Sequence, residues 1–546
     1  MGAHSVTSVA ALVAFCWLVV KTLRIGRRRA GLPPGPPTVP LLGNMHMFPT
    51  QFPQLKLAEW AREYGDIYSL TLGPGELIVV SSAAAARELL DRRSASTVDR
   101  PPNHFNLMAS DGLNFVVSQY SDQWRTLRRA ANSVLTPQVA ARHVPIQRAE
   151  SFQLMYDLLH TPEKAWWHFR RTTNSAVMSV LYGKRAPRYD TREIHELFGA
   201  LYLEVKLYDP GAHPPVDLIP ILKYVPERFA PWKRICRQIQ EKQRTLQHEL
   251  LQECEERVAR GQDVAEECFM DQIVRRREEL GLTRDMAAAL GGFLLEAGSD
   301  TTSTFLQTFI LLLTAHPEVQ KKLHEEMDLV VGVQRVPTPD DFEHMPYLQA
   351  CIREAHRYRP IVPLGLPHAA LTDEVYREYL IPKGCGILVN QWAIYHDPEV
   401  FESPELFVPE RFLKSEFGTR PGVDDTDFRH TMLFGFGRRI CPGRHVADHA
   451  IMVNTMALAW GFDFKPLLNE VTGTPEVVDT WAYEVGAMST PKPFEFSIKP
   501  RSSAHEQIIR AEFARALPSF AAYEHFLNAE EKEWLAHTRK DEGLCA

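Results

Sequence analysis

The run TRDMAAALGGFLLEAGSDTTSTFLQTFILLLTAHPE, residues 283–318, constrains this chain more than any other stretch. Thr283 stands where an N-cap belongs, and His316-Pro317 ends the pattern. The helix between them has about 30 residues and is about 45 Å long at ~1.5 Å per residue. Both ends are apolar enough for a membrane span. The middle is not, because Glu296, Ser299, Asp300, Thr301, Thr302, Ser303, Thr304 and Gln307 crowd it. Lipid leaves such groups unsatisfied at high cost. The pattern predicts a helix that crosses the centre of a large protein. Ala297 and Gly298 are small enough to let something flat approach its backbone, with Asp300 and Thr301 beside it.

A body of that size is available, since the chain has 546 residues. A formal net charge of −7 gives no electrostatic footprint for nucleic acid. The eight cysteines (Cys16, Cys236, Cys254, Cys268, Cys351, Cys385, Cys441 and Cys545) show no CxxC pair and no zinc-finger spacing. That argues against a disulfide framework and against structural zinc, and it suits a reducing compartment.

The N-terminus differs from the rest. Ser5 to Val20 is apolar and uncharged, and Lys21, Arg24, Arg27, Arg28 and Arg29 follow it. The run is short for a span, although Lys21 could snorkel to lengthen it. A cleaved signal peptide fits less well, because the basic residues follow the apolar run. Residues 5–23 are therefore expected to form a transmembrane signal anchor with the body on the cytosolic side. The basic and proline-rich stretch 24–40, which contains GLPPGPPTVP, is expected to be a stiff linker.

Beyond it, Tyr68 to Leu72 and Leu77 to Val80 read as a hairpin around Gly73-Pro74-Gly75. Helical patterns dominate from Ala83, with long amphipathic runs over 118–133, 231–260 and 317–330. Short strand-like pieces occur at 386–390 and 494–498. The expected fold is one mainly α domain with small β sheets over 41–500, followed by a helical extension over 501–546.

Phe434 to Gly443, FGFGRRICPG, surrounds one thiol with glycines and arginines. Gly435 and Gly437 match the start of a dinucleotide-binding loop, but Ile440 stands where its third glycine belongs. An inert buried thiol is the other plain reading. Four further motifs weigh against both. Phe434, Gly437, Arg439, Cys441 and Gly443 fit FxxGxRxCxG. Glu354 and Arg357 fit ExxR, and Pro409 to Phe412 read PERF. Ala297 to Thr302 read AGSDTT, and Trp124 with Arg128 fits WxxxR. Together and in this order they resemble the cytochrome P450 family of haem-thiolate monooxygenases, over nearly the whole chain.

The resemblance implies a cytochrome P450 fold with the long helix over haem b, and roles for named residues. Cys441 is the implied iron ligand, a thiolate whose electron donation favours O–O cleavage. Pro442 and the apolar stripe Val446, Ala450, Val453, Ala457 and Trp460 place it at a helix N-terminus, where dipole and N–H groups stabilise the anion. Phe434 shields the sulfur, while Gly437 and Gly443 let backbone pass close to the porphyrin. Arg439, Trp124, Arg128, His368 and Arg100 are the implied partners of the haem propionates. Trp124 and Arg128, at i and i+4, reach the same edge. Glu354, Arg357 and Arg411 form a structural ion triad, and Asp300 with Thr301 handles protons during oxygen activation.

No flavin or NADPH fingerprint is visible, so NADPH electrons are expected through a separate NADPH-cytochrome P450 reductase. Arg125, Arg129, Arg438 and Arg444 are candidate landing residues for it. Family positions around the pocket hold Phe105, Leu107, Met108, Phe115, Val116, Phe293, Ile361, Val362, Leu364 and Leu366, which suits a small hydrophobic or aromatic substrate. The resemblance is nearest to fungal enzymes of secondary metabolism, some of which act on polyketide-derived phenols. Its implied location is the endoplasmic reticulum membrane, single-pass, with the body in the cytosol. A haem-thiolate isomerase or dehydratase and a non-catalytic haem sensor or membrane scaffold are the alternatives. The intact Asp300-Thr301 pair speaks against the first, and the complete relay and pocket set against the second.

Overall fold

The computed structural model describes residues 2–208, 213–262, 267–469 and 471–541. Cys545 lies outside them, and the other seven cysteines are free thiols. The long central helix spans Arg284–Ala315, and the Thr283 hydroxyl accepts from the Met286 N–H at 3.1 Å to cap it. Its two apolar halves belong to different cores. Ala287 to Leu295 pack with Leu127, Met178, Leu250 and Phe269. Phe305 to Leu313 pack with Leu154, Leu348, Met456 and Trp460. The polar residues between them are the seam where the two cores meet.

That seam is satisfied by a crossing helix, Ala165–Tyr182. The Thr173 hydroxyl donates to the Ser299 carbonyl at 2.8 Å, and the Asn174 amide donates to the Ser299 hydroxyl at 3.2 Å. Gly298 is pinned by the same neighbour, since a Cβ there would lie 3.0 Å from a Val177 methyl. Of the two small residues, Ala297 faces open space in the middle of an otherwise buried helix, and Gly298 faces a helix.

One four-stranded sheet carries the edge of the site. Ile67–Leu72 pairs antiparallel with Gly75–Val80, which runs parallel to Gly386–Val389, and His368–Ala369 pairs antiparallel to the latter. Two small hairpins complete the β structure: Glu374–Tyr376 with Tyr379–Ile381, and Phe462–Pro466 with Phe496–Pro500.

Two expectations at the N-terminus are corrected. Gly2–Arg24 is a helix, but among the described residues no helix is long and apolar enough to cross a membrane. The first residues of Gly2–Arg24, namely Gly2 to Ser5 and Thr7-Ser8, are small or polar, and Lys21 and Arg24 close its last turn, which leaves a short apolar centre. The proline-rich segment is also no free linker. Pro33 and Pro34 carbonyls accept from the Ser69 hydroxyl at 2.6 Å and from its N–H at 2.7 Å, and the Pro37 carbonyl accepts from Asn44 at 2.9 Å. Leu32 is buried, and the Ile25 carbonyl accepts from the Leu41 N–H at 2.7 Å. Prolines give up N–H donors but keep their acceptors, so the segment docks as a strap along the sheet.

The C-terminal extension is packed as well. Ser503–Ala521 lies against Val144–His160, with Tyr156 stacked on Phe513 at 4.1 Å. Beyond it, Glu524 pairs at 2.8 Å with Arg185, whose guanidinium also binds the buried Glu150 at 2.9 Å.

Candidate functional site

Cys441 ends an extended loop, and its N–H donates to the Phe434 carbonyl at 2.9 Å. The following helix is Arg444–Gly461, with Gly443 as N-cap. Helical geometry begins two residues later than Pro442 suggested, because Pro442-Gly443 forms a turn. The Gly443 N–H points back at the thiol, and a Cβ on Gly443 would lie 4.0 Å from its sulfur. Burial pushes the Cys441 thiol up, while the Gly443 N–H, Arg128 and Arg444 draw it down. Ala450, Val453, Ala457 and Trp460 carry the expected buried stripe, and Val446 and Phe434 are half-buried.

Gly437 does something other than clear a flat ligand. Its φ is +51°, and a Cβ would run into the Leu90 carbonyl oxygen. Its N–H donates to Asp91 at 2.7 Å, so it locks the cysteine loop onto the 87–92 turn. Gly435 is the open glycine, with φ +88° and nothing near its missing side chain.

Four basic side chains converge beside this loop. Arg439 is buried, donates to the carbonyls of Val98 at 2.7 Å and Ser118 at 2.9 Å, and lies 3.9 Å from the Trp124 ring. Trp124 in turn donates its indole N–H to the Phe115 carbonyl at 3.0 Å. Arg100 donates to the carbonyls of Leu366 at 2.7 Å and Pro367 at 2.8 Å. His368 sits on its short strand with Nδ1 2.9 Å from the Thr97 carbonyl. Arg128 donates to the Ile440 carbonyl, and its buried Nε has no partner among the described residues.

Burial, and then the neighbouring Arg100, lowers Arg439 to about 9. Burial, and then Arg128, lowers Arg100 to about 10. Burial, and then Arg100, lowers His368 to about 3. Asp99 draws both Arg100 and Arg439 up, and its carboxylate accepts from the backbone N–H groups of Arg100 and Tyr120. Three guanidiniums and an imidazole held together by carbonyls, with one carboxylate among them, make a socket for an anion carrying more than one charge.

On the central helix, Thr301 is half-buried beside the exposed Ala297, and its hydroxyl donates to the Ala297 carbonyl at 2.7 Å. Burial raises the Asp300 carboxyl, and Arg170 draws it back. Remote from the opening, Glu354 is fully buried between Arg357, at 2.7 Å, and Arg411, at 3.1 Å. The two arginines spend their other N–H groups on carbonyls such as Tyr395 at 2.9 Å and Glu402 at 2.8 Å.

The pocket residues expected from sequence divide. Phe115 and Phe293 are buried in the core beside the central helix. Phe105 and Met108 instead join a separate cluster with Trp232, and Leu107 is exposed. Sequence reasoning did not find Glu204, which shares the Gln243 side chain with Glu296, because no local pattern links those three helices.

The family model for cytochrome P450 matches residues 33–497. A cytochrome P450 monooxygenase of Armillaria gallica is 43% identical, covering 93% of this chain and 96% of its own length. The monooxygenase yanC of Aspergillus niger is 35% identical, covering 92% and 96%, and macC of Penicillium terrestre 34%, covering 93% and 96%. A zebra fish cytochrome P450 solved with abiraterone superposes with a TM-score of 0.65 at 24% identity, over 82% of this chain and all of its own, which supports the fold. The chain belongs to the cytochrome P450 family. It is a monooxygenase, an oxidoreductase of a family built around haem iron.

Proposed function

We propose that this enzyme inserts one oxygen atom from O2 into a small hydrophobic, aromatic or polyketide-derived substrate in fungal secondary metabolism. NADPH supplies two electrons through NADPH-cytochrome P450 reductase, and the second oxygen atom leaves as water. The observation that carries the reading is one juxtaposition. The Cys441 thiol, under the Gly443 N–H and drawn down by Arg128 and Arg444, stands beside the basic socket that holds Arg100, Arg128 and Arg439 together.

Haem b, when bound through Cys441, supplies the oxygen chemistry. Arg100, Arg128, Arg439 and His368 would hold its propionates, with Trp124 stacked under Arg439. The unpartnered Arg128 Nε fits that use. Ala297 leaves room at the helix, and Phe434 covers the sulfur side. The Thr301 hydrogen is already given to the Ala297 carbonyl, so the hydroxyl oxygen presents lone pairs to the opening. Thr301 therefore accepts a hydrogen bond there and fixes a protonated oxygen or water in place. Asp300, raised by burial, can both hold and release a proton and passes it inward.

Attachment to the endoplasmic reticulum membrane through the N-terminal helix, with the body in the cytosol, is part of this proposal. Exposed Leu12, Val13, Phe15 and Trp17, followed by Lys21 and Arg24, support it. Reductase docking at exposed Arg125, Arg129 and Arg438 is a further part.

The test is reconstitution with reductase, following NADPH use and a product that gains one oxygen. Cys441→Ser abolishes the thiolate-type carbon monoxide band. Thr301→Ala keeps that band but consumes NADPH without matching product. Product formed without O2 or NADPH would establish the isomerase or dehydratase reading instead.

A further inference from the structure

Among the polar contacts of the central helix that serve neither the proton relay nor the crossing helix, the one at Glu296 involves its most deeply buried acid. Glu296, immediately before the exposed Ala297 and after the apolar run 286–295, is only 6% exposed. Its only hydrogen-bond partner among the described residues is Gln243, from the helix Pro231–Ala259, at 3.1 Å. The same Gln243 amide donates at 3.0 Å to Glu204, from the helix Arg192–Tyr208. Asn114 reaches the other Glu204 oxygen at 3.3 Å. Asn114 adjoins Phe115, whose carbonyl anchors Trp124. Two carboxyl groups from two helices thus share one amide at the edge of the opening.

A small cleft meets this cluster at Gln243; Gln247, Ala289 and Phe293 also line it, and the exposed ion pairs of Arg244 with Asp111 and Asp285 form its rim. Two further polar groups nearby are buried and unpartnered: the Gln247 side-chain N–H2 and the Tyr182 hydroxyl. Gly292 makes room for Gln247, since any Cβ there would strike its side chain. Natural interiors pair such groups, so donors and acceptors gathered beside a cleft point to a ligand with both.

We propose that Glu296, Glu204, Gln243 and Asn114 form a hydroxyl-reading site, which binds a phenolic or alcoholic O–H of the substrate and so fixes which carbon faces the reaction centre. This rests on the small-aromatic-substrate reading above. Burial raises both carboxyls, Glu296 further under the influence of Glu204, which favours a shared proton and a neutral cluster. A neutral acid both donates and accepts, which matches a hydroxyl and gives an ammonium group no counter-charge.

The experiment titrates the haem-loaded enzyme with a naphthol, its methyl ether and a naphthylmethyl-trimethylammonium salt, whose quaternary nitrogen has no lone pair for iron, reading the spin-state absorbance shift. Wild type is expected to prefer naphthol over ether by about tenfold, the worth of one or two net hydrogen bonds. Glu296→Leu is expected to bring the two within about twofold, by weakening naphthol and sparing the ether. Glu204→Gln, which keeps size and polarity, serves as the second variant, and an intact thiolate carbon monoxide band verifies folding in each. A preference that survives Glu296→Leu and Glu204→Gln, or an equal loss for both ligands, overturns the hydroxyl reading alone. Tightest binding of the quaternary ammonium overturns it in favour of a cation site. No shift with any of the three in wild type overturns the substrate class and this assignment with it.

Discussion

Replacing Glu354 with alanine removes the one carboxylate that two buried guanidiniums share. Arg357 is 1% exposed and donates to both Glu354 oxygens, at 2.7 and 2.8 Å, and Arg411 is 8% exposed and binds the same group at 3.1 Å. The Val408 N–H loses its acceptor too, at 2.8 Å. The arginines retain their carbonyl contacts, so their remaining cost is charge without a partner. Breaking a buried pair by removing one member costs about 3–5 kcal/mol. A whole protein has only about 5–15 kcal/mol of stability, so Glu354→Ala takes a large share. The measurement is urea unfolding followed by far-UV ellipticity, with the thiolate carbon monoxide band recorded on the same samples. Glu354→Asp shortens the acid but keeps the charge, and is expected to lie between. Wild-type midpoint and full band for Glu354→Ala would refute the claim that this triad holds the fold.

Four other outcomes follow from the geometry. Gly437→Ala should destabilise by at least about 2 kcal/mol, since it adds a clash with Leu90 to a positive-φ cost, whereas Gly435→Ala, with φ +88° and ψ −159° but open surroundings, should cost about 1–3 kcal/mol from backbone strain alone; urea midpoints compare them. His356, stacked on Phe305 at 4.3 Å, is lowered to about 4 by burial. The unfolded chain takes up this proton below about pH 6.5 and the folded chain only below about 4, so stability falls as pH falls through that window, by up to about 3 kcal/mol. His356→Leu should lessen the slope of unfolding free energy against pH there by about one proton, with His143 and His168, also lowered to about 4, keeping the remainder. Ending the chain at Ser502 should cost roughly 5 kcal/mol or more, by uncovering the partners of buried Ile509, Phe513 and Phe520, and is read as lost soluble, haem-loaded protein.

The features legible in the sequence were those set by local chemistry. Thr283 and His316 bounded the central helix because capping and proline geometry act within a few residues. Glu354 and Arg357 announced themselves because one helical turn separates them. The residues around Cys441 gathered in one loop for the same reason. What remained hidden depends on chain conformations far apart in sequence. The sockets of Arg100 and Arg439 are backbone carbonyls from 98–118 and 366–367, and a carbonyl carries no residue signature. Gly437 looked like clearance for a ligand because its true neighbour, Leu90, lies 347 positions earlier. Gly298 looked the same until Val177 stood against it. The proline-rich stretch read as a spacer because its acceptors are invisible until Ser69 and Asn44 meet them. Glu296 was visible as a lone acid in an apolar run, but nothing in the sequence tied it to Glu204 and Gln243.

The docked strap changes what insertion or deletion in 24–40 does. A flexible tether absorbs added residues at little cost, because loop entropy grows slowly with length. Here Ile25, Pro33, Pro34, Pro36 and Pro37 each have a carbonyl bound to the body, and Gly35 lies so close to Ser69 that no side chain fits. An added residue shifts that register and unseats a sheet edge. The segment therefore behaves as a bracket, whose register along the sheet is written in backbone hydrogen bonds. A shortened enzyme that keeps its sheet intact is best cut before Ile25.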